Sequence, residues 1–312
     1  MSISRNGLPA DDRSRAVLAA LAPQPPAWAT EHFAGVVRDR DGLDAWRLVG
    51  AEIPDCASLD AAALERAVGD AYRAVAESLR ASGHHPVRFW NFVPGIHADM
   101  GGGLDRYMVF NAGRYAAFEE WFGQAALFRR TVPTASAVGI GSGTLTIHAL
   151  GGRDTGEPVE NPRQVPAYRY SARYGPMPPC FARGTIVRGL PSRAGAAADA
   201  PVLLVGGTAS IVGENSLHDR DPRQQALETF ENLAELVSAA RRQIGGGDGH
   251  DAPRAAFDAF TELRVYVVRD VDAALLREMV TERFGRTARL EFAQADLCRR
   301  ELLVEIEGVA AL

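Results

Sequence analysis

Apolar residues recur at helical spacing in two long segments of the chain. The first, SLDAAALERAVGDAYRAVAESLRASG, follows Ser58 as a cap and closes at Gly83. The second, DPRQQALETFENLAELVSAARRQIGG, opens at Asp221 with Pro222 in its first turn and closes at Gly245. Each predicted helix leads into a β-rich run, PVRFWNFV or ELRVYVVRDV, and then into a second helix ending on an aromatic–glycine pair, AGRYAAFEEWFG at Gly123 or DAALLREMVTERFG at Gly285. Two strands follow in each case, first ASAVGIG or ARLEFAQ and then TLTIHALGG or LLVEIEGVA. The closing glycines of the first helices differ by 245 − 83 = 162 positions, and those of the second by 285 − 123, again 162. The same order at the same spacing predicts a duplicated α/β (α+β) protein, two units in tandem over residues 1–155 and 156–312, pseudo-symmetric, with mixed sheets packed by helices. A hairpin precedes each first helix. Residues 151–184, rich in Pro and Tyr and without periodicity, read as a connector with extended segments.

Composition narrows the chemistry. The 312 residues are 46% hydrophobic and 23% charged, enough for two packed domains. A net charge of -5 leaves no basic face for a phosphate backbone, which argues against a nucleic-acid partner. All 34 Lys and Arg positions are Arg. Without lysine there is no Schiff-base chemistry, no pyridoxal-phosphate anchor and no P-loop lysine, so an anionic substrate must be held by Arg, hydroxyls or backbone amides. Cys56, Cys180 and Cys298 are far apart and odd in number, which fits a reducing cytoplasm better than a disulfide framework or a structural zinc site. The seven histidines show no ligand spacing, and no metal or organic cofactor is expected. The stretch MSISRNGLPADDRSR lacks the apolar core of a signal peptide, and no run of 18 apolar residues predicts a membrane span.

Four segments are candidates for chemistry. GIGSG, Gly139 to Gly143, lies between two strands rather than opening a helix, so it reads as a hairpin turn and not a phosphate loop. In the connector, Arg163, Arg169, Arg173 and Arg183 are interleaved with Tyr168, Tyr170 and Tyr174. This is either a carboxylate-recognition surface, since guanidinium forks bind carboxylates bidentately, or a solvated loop pinned by its aromatics. In LLVGGTASIVG the pair Gly206-Gly207 interrupts a buried strand, as a bulge, a close backbone approach, or a bend serving only packing. In DLCRRELLVEIEG, Glu305 and Glu307 share one strand face and Val304 and Ile306 the other. One acid could point into a cleft; a solvated face explains the same alternation, and pattern alone favours it. Aligning the halves by Gly151 and Gly308 sets His148 opposite Glu305, and Cys298 lies seven residues before that acid.

Together RFWNFVPGI, YMVFNAGRYAAFEEWFG, TASAVGIGSGTLTIHALGG, the connector, LLVGGTASIVGENSLHD and CRRELLVEIEG resemble the chorismatase family, whose fold is of the YjgF/RidA type. The second half is similar to a single RidA unit and the first to a degenerate copy. The resemblance implies that chorismate binds between the halves and loses pyruvate without metal or cofactor, with Glu305 as the acid that protonates the enolpyruvyl methylene. It implies a product branch as well. Cys298 and Gly207 match the branch that forms 3-hydroxybenzoate; the other branch uses water and leaves a dihydroxycyclohexadiene carboxylate. Tyr168, Tyr174 and Arg183 lie in the matched connector, and Arg289 lies near the position at which RidA-like proteins hold a carboxylate. A RidA-like imine deaminase and a non-catalytic aromatic-acid binder stay open. With the duplicated interface inside one chain, a monomer is expected.

Overall fold

In the computed structural model, which describes residues 18, 21–33, 37–38, 44–123, 128–141, 143–191, 199–246 and 253–312, both predicted runs fold into a mixed sheet covered by helices on one face. Ser142, His250 and most of the N-terminal stretch lie outside the described residues. The first half consists of α1 (Ala27–Phe33), β1 (Val37–Arg38), β2 (Asp44–Ile53), α2 (Ala61–Ala81), β3 (His85–Pro94), β4 (Asp99–Gly101), β5 (Leu104–Asp105), α3 (Arg106–Phe122), α4 (Phe128–Thr131), β6 (Thr134–Ile140) and β7 (Leu145–Gly152). The second consists of β8 (Glu157–Val159), β9 (Gly184–Val187), β10 (Val202–Ala209), β11 (Ile211–Val212), β12 (Asn215–Ser216), α5 (Pro222–Gln243), α6 (Pro253–Phe257), β13 (Phe260–Val267), α7 (Ala273–Phe284), β14 (Arg289–Gln294) and β15 (Val304–Ala311).

Local chemistry sets the helix ends. Asp60, not Ser58, caps α2, its carboxylate accepting from the Ala63 amide at 2.8 Å; the Ser58 hydroxyl donates instead to the Asp55 carbonyl. Asp221 caps α5 in the same way, with Pro222 at the first position. Gly83 and Gly245, at φ +70° and +78°, reverse the chain after these helices, a conformation that costs glycine nothing.

The first sheet has the order β1-β2-β7-β3-β6, and the second repeats it as β9-β10-β15-β13-β14 with β8 added beyond β9. In each, a crossover helix makes the fourth strand parallel to the third, β6 to β3 and β14 to β13, which leaves an inner slot for the last strand. β7 fills it between β2 and β3, and β15 between β10 and β13, antiparallel to both neighbours. The GIGSG segment is therefore not the hairpin turn its pattern suggests: β6 and β7 are separated by β3. The connection carrying Cys298 crosses from β14 to β15 in the same manner, past β13.

Three apolar clusters define four layers. One lies between the first sheet and α2 and α3, one between the second sheet and α5 and α7, and the third draws on the inner faces of both sheets, with Trp90, Phe92 and Leu150 meeting Leu204, Tyr266 and Val309. At the junction the Gly139 amide donates to the Asp296 carbonyl at 2.7 Å. These residues are equivalent in the repeat, since 296 − 139 and 305 − 148 both equal 157, so the backbone meets its own copy across a pseudo-two-fold axis.

On the outer side α3 crosses α2 at Gly113, where a Cβ would lie 2.9 Å from the Val68 Cβ. Gly113→Ala is expected to destabilise the fold by about 1–3 kcal/mol through overpacking, read as a lowered urea midpoint at unchanged m-value.

Candidate active site

The alternation along β15 sends Val304 and Ile306 into the helix-side core and turns Glu305 and Glu307 toward the other sheet. Both acids are buried, at 4% and 1% exposure, so the solvated face favoured by pattern alone is overturned. The reason is the first sheet packed over them, which a single strand's pattern does not contain. Glu307 is fully partnered: one oxygen accepts from Arg88 Nη2 at 2.6 Å and from the Ser136 hydroxyl, the other from the Tyr266 hydroxyl at 2.8 Å. Arg88 and Ser136 come from the first half.

Glu305 differs. Its carboxyl has no hydrogen-bond partner among the described residues and borders a cavity of about 290 Å³ between the halves, close to the volume range of small-molecule sites. Burial, reinforced by the Glu307 charge and only partly opposed by Arg88 and Arg183, pushes it up to about 8. It is therefore a neutral acid at pH 7. The room it occupies is made by Gly206-Gly207. The β10–β15 register slips between Val205 and Thr208, and a Cβ on Gly207 would fall 2.7 Å from the Glu305 Cδ. The glycine pair is thus a bulge and a close approach at once, made to a side chain of the neighbouring strand.

Cations surround this acid. Arg183 donates to the Tyr170 hydroxyl at 2.5 Å and to the Val165 carbonyl at 3.1 Å, while its buried Nε has no partner. Arg114 of α3 donates from Nη2 to Asn111 at 2.7 Å, and its Nε and Nη1 are buried without one. A buried guanidinium with unused donors on a cavity wall is suited to an anionic ligand. Arg299 stacks on Tyr174 at 3.9 Å, and Arg173 and Arg300 complete the cationic lining. Cys298 lines the same cavity; burial, then the Glu305 charge, pushes its thiol up to about 12, so it is an uncharged S–H. Among the described residues no cluster of His, Cys, Asp or Glu is arranged to hold a metal ion.

The structure thus brings Glu305, Cys298, Tyr174, Arg183 and Gly207 to one cavity and leaves out two residues expected there. Tyr168 packs into the helix-side core of the first half, its ring edge-on to Phe128 at 6.5 Å; within the connector's 3₁₀ turns it is Tyr170 and Tyr174 that face the ligand space. Arg289 opens the edge strand β14 and is held by a bidentate pair with Glu31 of α1 at 2.7 and 2.8 Å, away from the cavity. Arg163 is likewise engaged elsewhere, by Glu228 and Asn232. Among the cavity-lining residues not singled out from sequence are Arg114, Tyr107, Arg299 and Arg300. Arg114 carried a signal, a charge on the apolar stripe between Phe110 and Phe118 of a buried helix. In the first half the equivalent position, His148, faces the N-terminal segment and bonds the Pro23 carbonyl at 3.1 Å.

Residues 28–151 match the family model described as chorismatase FkbO/Hyg5-like, N-terminal. The chain is 38% identical over 244 residues to a 3-hydroxybenzoate synthase of Streptomyces hygroscopicus, covering 77% of this chain and 67% of that protein. It belongs to the chorismatase family. A protein named chorismatase from Streptomyces rapamycinicus is 35% identical over 226 residues, covering 72% of this chain and 63% of that one, so the chain spans about two thirds of the length of these relatives. A chorismatase crystal structure overlays with a TM-score of 0.73 at 28% identity, over 88% of this chain and 79% of that one. In this member of the family, then, a buried carboxyl pushed upward by its surroundings and guanidinium groups with unpaired donors line one cavity.

Benzoate is a simple probe of that arrangement. Arg114→Gln is expected to weaken its binding about tenfold or more, roughly 1.4 kcal/mol by isothermal titration calorimetry, and Arg289→Gln to leave it unchanged.

Proposed function

We propose that this chorismatase-family enzyme converts chorismate to 3-hydroxybenzoate and pyruvate, with Glu305 as general acid. The observation that carries the reading is the buried Glu305 carboxyl, without a hydrogen-bond partner among the described residues, bordering a cavity lined by Arg114 and Arg183, where burial favours its protonated form. Chorismate is a dianion whose enol ether is inert until its methylene carbon takes a proton. The arginines hold the carboxylates, and Glu305 delivers the proton, which makes the ether carbon oxocarbenium-like and pyruvate a good leaving group. Such a positioned acid contributes about 10²–10⁴-fold.

The neighbouring ring hydroxyl then attacks the carbon that bears the ether, so the ether bond to the ring breaks and pyruvate departs as the ketone; the three-membered oxide so formed opens at the oxygen's original C–O bond, and loss of the proton from the attacked carbon completes the aromatic product. Every atom of chorismate is found in one of the two products, the enolpyruvyl carbons in pyruvate and the ring with its carboxyl in 3-hydroxybenzoate. No water is consumed, and the released proton restores the Glu305 acid. An uncharged Cys298 thiol and the glycine at 207 line the space beside the acid, and the 38% identity to a 3-hydroxybenzoate synthase supports this branch over hydrolysis. The same reading makes the enzyme a cytoplasmic monomer, supported by three free cysteines and by a pseudo-two-fold interface already closed within one chain.

Incubation with chorismate should release pyruvate and a product that co-elutes with 3-hydroxybenzoate; the diol in its place would assign hydrolysis, and no pyruvate would reject the function. Glu305→Gln should lower turnover by about 10²–10⁴-fold. Because the active form is the neutral acid, kcat/KM, which reflects the free enzyme, should fall as pH rises through about 8. Cys298→Ala should shift product away from the aromatic acid, read as the ratio of the two chromatographic peaks.

A further inference from the structure

Beside the proposed acid lies a charged cluster of which Ser136 lines the cavity and Arg88, Tyr266 and Glu307 do not. Glu307 follows Glu305 by two residues on the same strand face, about 6–7 Å along β15. It is held by Arg88 Nη2 at 2.6 Å, Ser136 and Tyr266, and the side chains of Arg88 and Glu307 are 2% and 1% exposed. Burying an ion pair between two sheets costs desolvation that its attraction seldom exceeds, so such a pair needs a reason other than stability.

We propose that Glu307 and Arg88 are positioning residues for Glu305: a charge pair, one member from each half of the chain, that sets when the acid holds its proton. The carboxylate opposes ionisation of its neighbour, and the guanidinium limits how strongly. This inference rests on the reading of Glu305 as the acid.

The groups facing Glu305 have separable effects. Glu307 on its own strand raises it; Arg88 from β3 and Arg183 from the connector lower it. Tyr107 of α3, Cys298 of the crossing loop and Tyr266 of β13, beside Glu307, are all pushed upward by burial and stay uncharged. Gly207 and Ala209 of β10 contribute no charge. The fixed charge closest along the strand is thus Glu307, and its counter-ion comes from the half that lacks an acid of its own.

The two partners of one ion pair should therefore act in opposite directions. In the pH profile of kcat/KM for pyruvate release, Glu307→Gln should move the alkaline limb down by about one to two pH units, and Arg88→Met should move it up by about one. In the Arg88 variant the carboxylate pair loses its last proton later, wherever that proton resides. A structural role would lower activity in both without moving either limb. Limbs that stay in place, or move in the same direction, overturn the proposal. Should Glu307→Gln fail to fold because it strands the Arg88 charge, the double variant R88M/E307Q strands none and must still place the limb below that of the unaltered enzyme. Glu305→Gln separates the two ideas. If it retains full activity, the acid itself is misassigned; if it is inactive while the limbs stay fixed, only the role of the pair is lost.

Discussion

Two carboxylates side by side in the dry layer between two sheets are the constraint around which this molecule is arranged. Like charges at that spacing cannot both ionise cheaply in a low dielectric. The fold resolves the conflict by surrounding one of them with hydrogen-bond donors. Glu307 takes Arg88, Ser136 and Tyr266, and Glu305, left without a partner, keeps a proton instead. The division of donors follows from topology: β15 lies centrally in its sheet, its acids point at the other half, and the first half's β3 and β6 supply Arg88 and Ser136 to Glu307.

Duplication followed by divergence explains why the cavity is asymmetric although the architecture is not. The sheets share one strand order, and the backbone meets its copy at Gly139 and Asp296. The side chains no longer match. Where the second half has Glu305, the first has His148, which is closed off by the Pro23 carbonyl, and Arg264 on β13 is likewise occupied by the carbonyls of Gln24 and Pro25. The first half has become a supplier of cations and walls. Ser136, Tyr107 and Arg114 line the cavity that Glu305 borders, and Arg88 pairs with Glu307.

Much of the fold was legible in sequence because its determinants are local. Helix periodicity, the Asp221 cap and the glycine stops fixed the helices, and two equal offsets revealed the repeat. Strand order was not local. GIGSG has every mark of a hairpin turn, and only the β3–β6 pairing shows that its strands are not neighbours. At the site, Glu305, Cys298, Gly207, Tyr174 and Arg183 were named from the sequence and its resemblance to a family. Two placements turn on faces that local pattern does not contain: Tyr168 packs into the helix-side core while Tyr170 faces the cavity, and Arg289 is held by Glu31. Burial of Glu305 and Glu307 was illegible for the same reason, since what covers a strand face is decided by a distant part of the chain.

The absence of lysine from the chain takes on a further meaning at the cavity. Every cation there is a guanidinium, which does not discharge at any pH the protein meets. A lysine beside so many buried groups would have titrated within reach of the acid, and grip and reactivity would have changed together as pH changed. With arginine alone, the hold on an anion and the readiness of the proton are separate variables: one is invariant, and the other varies with the carboxyl pair on β15.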